Sequence, residues 1–244
     1  MHFDSTYFDQ PYSAKTVKVQ TWLNRFLYRM GMMAKVEPLF SHSTHMVSSL
    51  QKINFFHLLN EVLFHNIPGD VVELGCFEGQ TAVSFARILS ANHSDKKLIL
   101  FDSFEHNLGL DGSIQNRLKK NFNSKGLPEP KIVAGDVFKT VPVSLPDKIA
   151  FAHIDLGVGG NRDLHKELIT HALRSVYEKM SPGAICVLMD YFIPGVTIEG
   201  YDSNPGTRMA SDAFLSDKPE KIFTLPGGEF SHGFFRKSLI NSKP

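Results

Sequence analysis

Val71-Val72-Glu73-Leu74-Gly75-Cys76-Phe77-Glu78-Gly79-Gln80-Thr81 is the stretch whose reading decides the fold. An apolar run stops at an acid, turns through two glycines and enters the apolar segment Thr81-Ala82-Val83-Ser84-Phe85-Ala86. Strand, glycine turn and helix in that order open a parallel α/β sheet. Gly75 lets the backbone approach a ligand with no Cβ in the way, and Gly79 permits close packing where the helix begins.

The spacing Glu-x-Gly-x-x-x-Gly differs from the Gly-x-Gly-x-x-Gly turn that seats a dinucleotide pyrophosphate on a helix N-terminus. An acid at Glu73, hanging over the ligand, repels phosphate. It suits a ligand that carries an ammonium and free ribose hydroxyls, and S-adenosylmethionine has both. Short glycine patterns are common by chance, so a plain strand-turn-helix explains this stretch equally well when it is read alone.

Toward the C-terminus, Lys97-Leu98-Ile99-Leu100-Phe101-Asp102-Ser103 reads as a second apolar strand ending in an acid. In a doubly wound sheet such an acid, roughly 20 to 30 residues past the glycine turn, accepts hydrogen bonds from ribose hydroxyls. A short third strand, Pro130 to Ala134, leads into Gly135-Asp136-Val137-Phe138. Asp136 is the candidate partner of an adenine amine, with Val137 and Phe138 as apolar neighbours of the ring. The fourth strand, Lys148 to Asp155, is followed by a crossover helix from Leu164 to Met180. Ser181-Pro182-Gly183 reads as a tight turn into a fifth strand that ends Met189-Asp190-Tyr191. Glu73, Asp102, Asp155 and Asp190 therefore close four strands, with Asp136 just after the remaining one. Five carboxyls around one carboxyl edge describe a polar pocket.

A Gly/Pro-rich connection, Phe192 to Thr207, follows, then a helix opened by Pro205-Gly206-Thr207-Arg208. Two last strands, Lys221 to Leu225 and Gly233 to Lys237, are joined by Pro226-Gly227-Gly228-Glu229. A terminal antiparallel hairpin on a parallel sheet is the arrangement of class I methyltransferases, and Rossmann dehydrogenases lack it. His232 is assigned a turn role in this hairpin.

Toward the N-terminus, helical spacing predicts one helix over Thr21 to Met33, with Trp22, Phe26, Met30 and Met33 on its apolar face, and another over Val47 to His65. Ile67-Pro68-Gly69-Asp70 breaks the second helix and launches the first strand. The expected organisation is an N-terminal helical extension over 1–66 and a cofactor-binding domain over 67–240. The Met- and Phe-rich helices fit either a homodimer contact or packing on the chain's own sheet.

The chain has 244 residues, 26 basic and 25 acidic, for a net charge of +1. That length suits one core, and that balance argues against nucleic acid as a partner. The two cysteines, Cys76 and Cys186, fall beside apolar strands and read as small buried side chains rather than a disulfide framework. The N-terminus lacks the pattern of a signal peptide, and no apolar run approaches a membrane span, so a cytoplasmic location and no membrane partner are expected.

Taken together, His45-Met46, Ile67 to Gly75, Phe101-Asp102-Ser103-Phe104-Glu105, Ser181-Pro182-Gly183, Asp190-Tyr191 and Pro205-Gly206-Thr207-Arg208 resemble, in order and over roughly residues 45 to 237, the macrocin O-methyltransferase (TylF/MycF-type) family. The resemblance implies a Rossmann-like class I methyltransferase fold. This is a seven-stranded, mostly parallel sheet with an antiparallel C-terminal hairpin and an N-terminal helical extension. It implies metal-dependent methylation of sugar hydroxyls on small metabolites, with S-adenosylmethionine as cofactor. Glu73, Gly75, Gly79, Asp102, Ser103 and Asp136 would hold that cofactor, with Met46 near it.

The resemblance also implies a magnesium site at the ends of strands four and five, where the family shows Asp-Gly-Asp and a paired Asp-Asp. This chain has Asp155-Leu156-Gly157 and Met189-Asp190 instead. Asp155 and Asp190 are the candidates for metal ligand or catalytic base. His153, two residues before Asp155 and on the same face of the strand, is a second-rank base or a structural histidine. The competing readings are a metal-independent N- or O-methyltransferase and a catalytically silent regulatory or assembly protein that binds the cofactor or its product.

Overall fold

The structure is a computed structural model and describes residues 14–34, 36, 47–158, 160–198, 200–228 and 230–239. It divides into two compact units, 1–46 and 47–244. In the first unit, helix α1 (Ala14–Arg29) starts and ends earlier than its apolar spacing suggested. The Asn24 side chain then brackets the backbone of Val36, accepting from its N–H at 2.6 Å and donating to its carbonyl at 3.0 Å.

The second unit opens with α2 (Ser49–Phe64), capped by Ser48 and Gln51 in a reciprocal box. It continues through β1 (Asp70–Leu74), α3 (Gln80–Ala91), β2 (Leu98–Asp102), α4 (Ile114–Ser124) and β3 (Lys131–Ala134). Then come α5 (Val137–Ser144), β4 (Ile149–Ile154), α6 (Arg162–Lys179), β5 (Met180–Met189), α7 (Gly206–Leu215), β6 (Phe223–Leu225) and β7 (His232–Arg236). The seven strands lie in the order β3-β2-β1-β4-β5-β7-β6, with β7 antiparallel to both β5 and β6. This is the sheet that the alternation of apolar runs and the final hairpin predicted. The boundary expected at 66/67 falls inside this unit, because α2 packs on α3 and on the sheet.

β1, β4 and the last six residues of β5 are apolar almost throughout and buried on both faces, as parallel strands covered by helices must be. One local expectation needs correction, and one helix was not foreseen. Ser181-Pro182-Gly183 is the start of β5 rather than a turn before it. The strand shifts register against β4 there, and Gly183 N–H donates to Lys237 carbonyl at 2.9 Å. Residues 137–144 form a helix with Pro142 inside it, a break that hides the helical pattern from sequence reading.

Sequence order runs from β1 through β2 to β3 on one side of the sheet and resumes with β4 on the other. The switch point therefore lies between β1 and β4, where doubly wound sheets bind their ligands.

Candidate active site

Left-handed backbone recurs at the carboxyl edge of this sheet. Gly75, Phe77 and Gly79 after β1, Phe104 after β2, Gly135 after β3 and Asp190 after β5 all have positive φ. At Phe77, Phe104 and Asp190, which carry side chains, this backbone costs free energy and persists where function or packing demands it. Gly75 shows what is demanded: a Cβ there would stand 1.8 Å from the carbonyl oxygen of Asp155. Its bareness serves the meeting of the β1 and β4 loops. A Cβ on Gly79 would lie 2.9 Å from Leu118 of α4, so this glycine does serve close helix packing.

Asp102 organises the cofactor side. Its Oδ2 accepts from the N–H groups of Cys76 and Phe77 at 2.9 and 2.8 Å, and its Oδ1 accepts from Phe104 at 2.8 Å. The carboxylate thus fixes the glycine turn and its own loop, leaving acceptor capacity on Oδ1. Ser103 lies next to it, with its hydroxyl accepting from Glu105 N–H at 3.3 Å. Asp136 is the N-cap of α5, accepting from Phe138 N–H at 3.0 Å. Val137 is buried in the core, and the Phe138 ring packs 4.9 Å from His171 of α6. Met46 lies outside the described residues.

Glu73 does not hang over the edge. It is 1% exposed and turned into the layer under α2 and α3, where its Oε1 is 2.9 Å from Nδ1 of the fully buried His153. Burial raises the Glu73 carboxyl well above its usual range, with the charge of Asp102 adding to the effect. Burial pushes His153 down to about 4, against the pull of Asp155 and Asp190. Both shifts favour the uncharged forms, so burial works against an ion pair here, and the tautomer of His153 sets which partner of the contact donates. Phe55 and Phe85 lie against the His153 ring, and Phe55 also stacks on His232. His232 is buried in β7, with its Nε2 3.0 Å from the Asn54 amide, instead of serving a turn.

Asp155 contrasts with Asp102. Its carboxyl has no hydrogen-bond partner among the described residues. Burial raises its pKa to about 7; His153 opposes the rise, while Asp190, Glu73 and Asp102 add to it. Asp190 is also raised by burial, but Asn204 Nδ2 donates to its Oδ2 at 2.6 Å, and Ser203 and His165 lie beside it. The site thus brings Asp102, Asp190 and Glu73 within electrostatic reach of Asp155, whereas Asp136 uses Oδ1 to cap its own helix.

Asn204, Ser203 and His165 were missed in the sequence. Asn204-Pro205 is a turn signal immediately before a helix, and His165 is a polar residue on the buried stripe of α6. Both were visible as exceptions to pattern. His165 Nε2 donates to Leu156 carbonyl at 2.6 Å.

The chemistry of this edge can be tested against the groups the family implies. Several carboxyls with no lysine or arginine among their charge partners suit a cation such as a sulfonium bearing an ammonium, and repel a pyrophosphate. The fit to Mg²⁺ is poor. Such an ion asks for octahedral oxygen ligation, and among the described residues no three His, Cys, Asp or Glu side chains converge to supply it. No described helix is long and apolar enough to cross a membrane.

Comparison with known proteins bears on these readings. The chain is 24% identical over 165 residues to the mycinamicin III 3''-O-methyltransferase of Micromonospora griseorubida, covering 58% of this chain and 62% of that protein. It is 25% identical over 173 residues to the 8-demethyl-8-(2,3-dimethoxy-alpha-L-rhamnosyl)-tetracenomycin-C 4'-O-methyltransferase of Streptomyces olivaceus, covering 61% and 63%. The chain thus spans a little under two thirds of these relatives. Among solved structures, the O-methyltransferase NovP superposes with a TM-score of 0.65 at 19% identity over 81% of this chain and 83% of that one. The calicheamicin methyltransferase CalS11 does so with 0.62 at 18% identity over 97% of each. These superpositions establish the fold. The sequence profile of the macrocin O-methyltransferase (TylF) family matches residues 25–203, more than half of the chain, and the chain belongs to that family.

Proposed function

We propose that this protein is an S-adenosylmethionine-dependent O-methyltransferase acting on a hydroxyl of a sugar carried by a small metabolite. The observation that carries the reading is Asp155, a carboxyl without a hydrogen-bond partner among the described residues, at the β4 end of the switch point and opposite the Gly75 turn. The two curated relatives, whose names place a methyl on glycosylated metabolites, support the class of acceptor.

Asp102, Ser103 and the 75–79 turn would hold the cofactor, with Asp136 at the adenine end and Glu73 acting from beneath by fixing His153. When bound, S-adenosylmethionine supplies an electrophilic methyl group on sulfur. Asp155 orients the acceptor hydroxyl and takes its proton onto a carboxylate oxygen as that hydroxyl attacks. A base that titrates near neutrality is matched to this task. Asp190, held by Asn204, lines the acceptor side. Mg²⁺ is assigned no step, because the donor set does not fit it. The exposed Trp22, Phe26, Met30 and Met33 of the N-terminal unit offer the face that a homodimer would cover.

Calorimetric titration with S-adenosylhomocysteine tests the cofactor reading, and micromolar binding is expected. Transfer of labelled methyl to a panel of glycosylated acceptors then tests the activity. Absence of binding would remove the assignment; binding without transfer to any acceptor would favour a silent relative.

A further inference from the structure

The ends of β4 and β5 depart from the cation site that family membership implies, and the departure has a structural counterpart. Where the family pairs two acids, this chain has Met189, buried in the sheet, followed by Asp190. Where the family has a second acid after β4, it has Gly157, beside which a Cβ would meet only open space. The carboxylate that remains on β5 is already engaged, because Asn204 Nδ2 donates to Asp190 Oδ2 at 2.6 Å. A cation could use that oxygen's full ligating capacity only by displacing the amide.

Asn204 is itself fixed. Its carbonyl accepts from Thr207 N–H at 3.0 Å at the start of α7. At Gly206, two residues further on, a Cβ would stand 2.5 Å from His165 Nδ1, so the helix start is seated on that ring. His165 in turn donates from Nε2 to the carbonyl of Leu156, the residue after Asp155. Asp155 and Asp190 are therefore joined by a continuous run of contacts through Leu156, His165, Gly206 and Asn204. That run holds the Asp190 carboxylate at one end and, at the other, the backbone next to Asp155.

We infer that Asn204 replaces the family's divalent cation, its neutral amide holding Asp190 in place so that this chain works without a metal at the β4/β5 edge. The inference builds on the methyltransferase reading above. It makes Asn204 a positioning residue for Asp190 and makes the Asn204→Asp exchange informative. A third carboxylate set against Asp190 and Asp155 repels both unless a cation joins them, which would restore a ligand set of the family kind.

The test is a titration with Mn²⁺ alone, followed by electron paramagnetic resonance. It uses the wild-type chain, Asn204→Asp, and the double variant Asn204→Asp/Asp190→Asn. Wild type should show no saturable site below about 1 mM, Asn204→Asp should gain one at least roughly tenfold tighter, and the double variant should lose it. Micromolar Mn²⁺ binding by wild type that disappears in Asp190→Asn would overturn the inference. So would a folded Asn204→Asp variant that gains nothing. The wild-type titration decides the matter even if the variant does not fold. Calorimetry with S-adenosylhomocysteine on the same samples separates the two readings, since loss of cofactor binding in wild type would sink the methyltransferase assignment while leaving the metal result intact.

Discussion

At the β2 end of the sheet Asp102 commits its carboxylate to three backbone amides, whereas at the β4 end, on the far side of the switch point, Asp155 is committed to none among the described residues. Both residues close parallel strands in the same way, and a sequence gives no means of telling them apart. What separates them is the loop each one faces. The β1 turn presents N–H groups to Asp102 because Phe77 and the glycines around it adopt positive φ. No described amide of the β4 loop donates to the Asp155 carboxyl, which lies among other carboxyls. The first acid holds a shape, and the second is the one to which the proposed mechanism assigns a change of charge.

The seam between these halves is Gly75, and breaking it should have the largest effect. Gly75→Ala places a methyl group inside the carbonyl of Asp155 at a backbone conformation that alanine resists. A loss of about 3 kcal/mol or more is expected, visible as a fall in the thermal unfolding midpoint by circular dichroism. A midpoint within a degree or two of wild type would mean that the two loops do not meet as described.

Next in size is the loss of the uncommitted acid. Asp155→Asn should lower the rate of methyl transfer by about 10² to 10⁴, with S-adenosylhomocysteine affinity nearly unchanged. In wild type the rate should rise as pH climbs through about 7, where Asp155 loses its proton, and this limb should vanish in the variant. Stability carries the opposite sign. A carboxyl raised in the folded state holds its proton while the unfolded chain has released it, so wild type loses stability as pH rises from about 4 to about 7. Asp155→Asn should therefore be the more stable protein at pH 8. A variant that is both active and no more stable would leave Asp155 without its proposed part.

The committed acid should behave otherwise. Asp102→Asn keeps the shape but weakens three charge-assisted hydrogen bonds and turns an N–H₂ toward amides on one side. A cost of about 2 kcal/mol in stability is expected, together with weaker cofactor binding. Unchanged denaturant midpoints would show that the turn holds itself.

These contrasts mark what was legible in the sequence. The succession of strands and the final hairpin followed from apolar runs and glycine turns, because burial on both faces leaves a pattern in every residue of a central strand. The acids at strand ends were equally visible as residue types. Their orientations were not. Whether Glu73 points to the edge or under it depends on His153, 80 residues away, and the two become neighbours only when β1 and β4 pair. Asp136 read as a ligand contact, and it caps a helix that Pro142 had disguised. Asn204 lay beside a Pro-Gly pair that announced only a turn.

The smallest effect is expected at Glu73, and it is the sharpest test of the division between acids that face the cofactor and acids that do not. If Glu73 and His153 form a neutral pair, Glu73→Gln replaces an acid O–H donor by an amide N–H donor of nearly the same shape. Stability should then change by less than about 1 kcal/mol, whereas Glu73→Ala, which leaves the imidazole unpaired and opens a cavity, should cost about 3 kcal/mol. S-adenosylhomocysteine affinity should follow the same order, falling little in the first and more in the second as β1 and β4 loosen. If Glu73 instead lent its charge to the ammonium of the cofactor, the glutamine variant would lose at least roughly tenfold in affinity while keeping full stability. That combination of a silent unfolding curve and a large binding loss would move Glu73 from beneath the site into it, and no other pairing of the two measurements would.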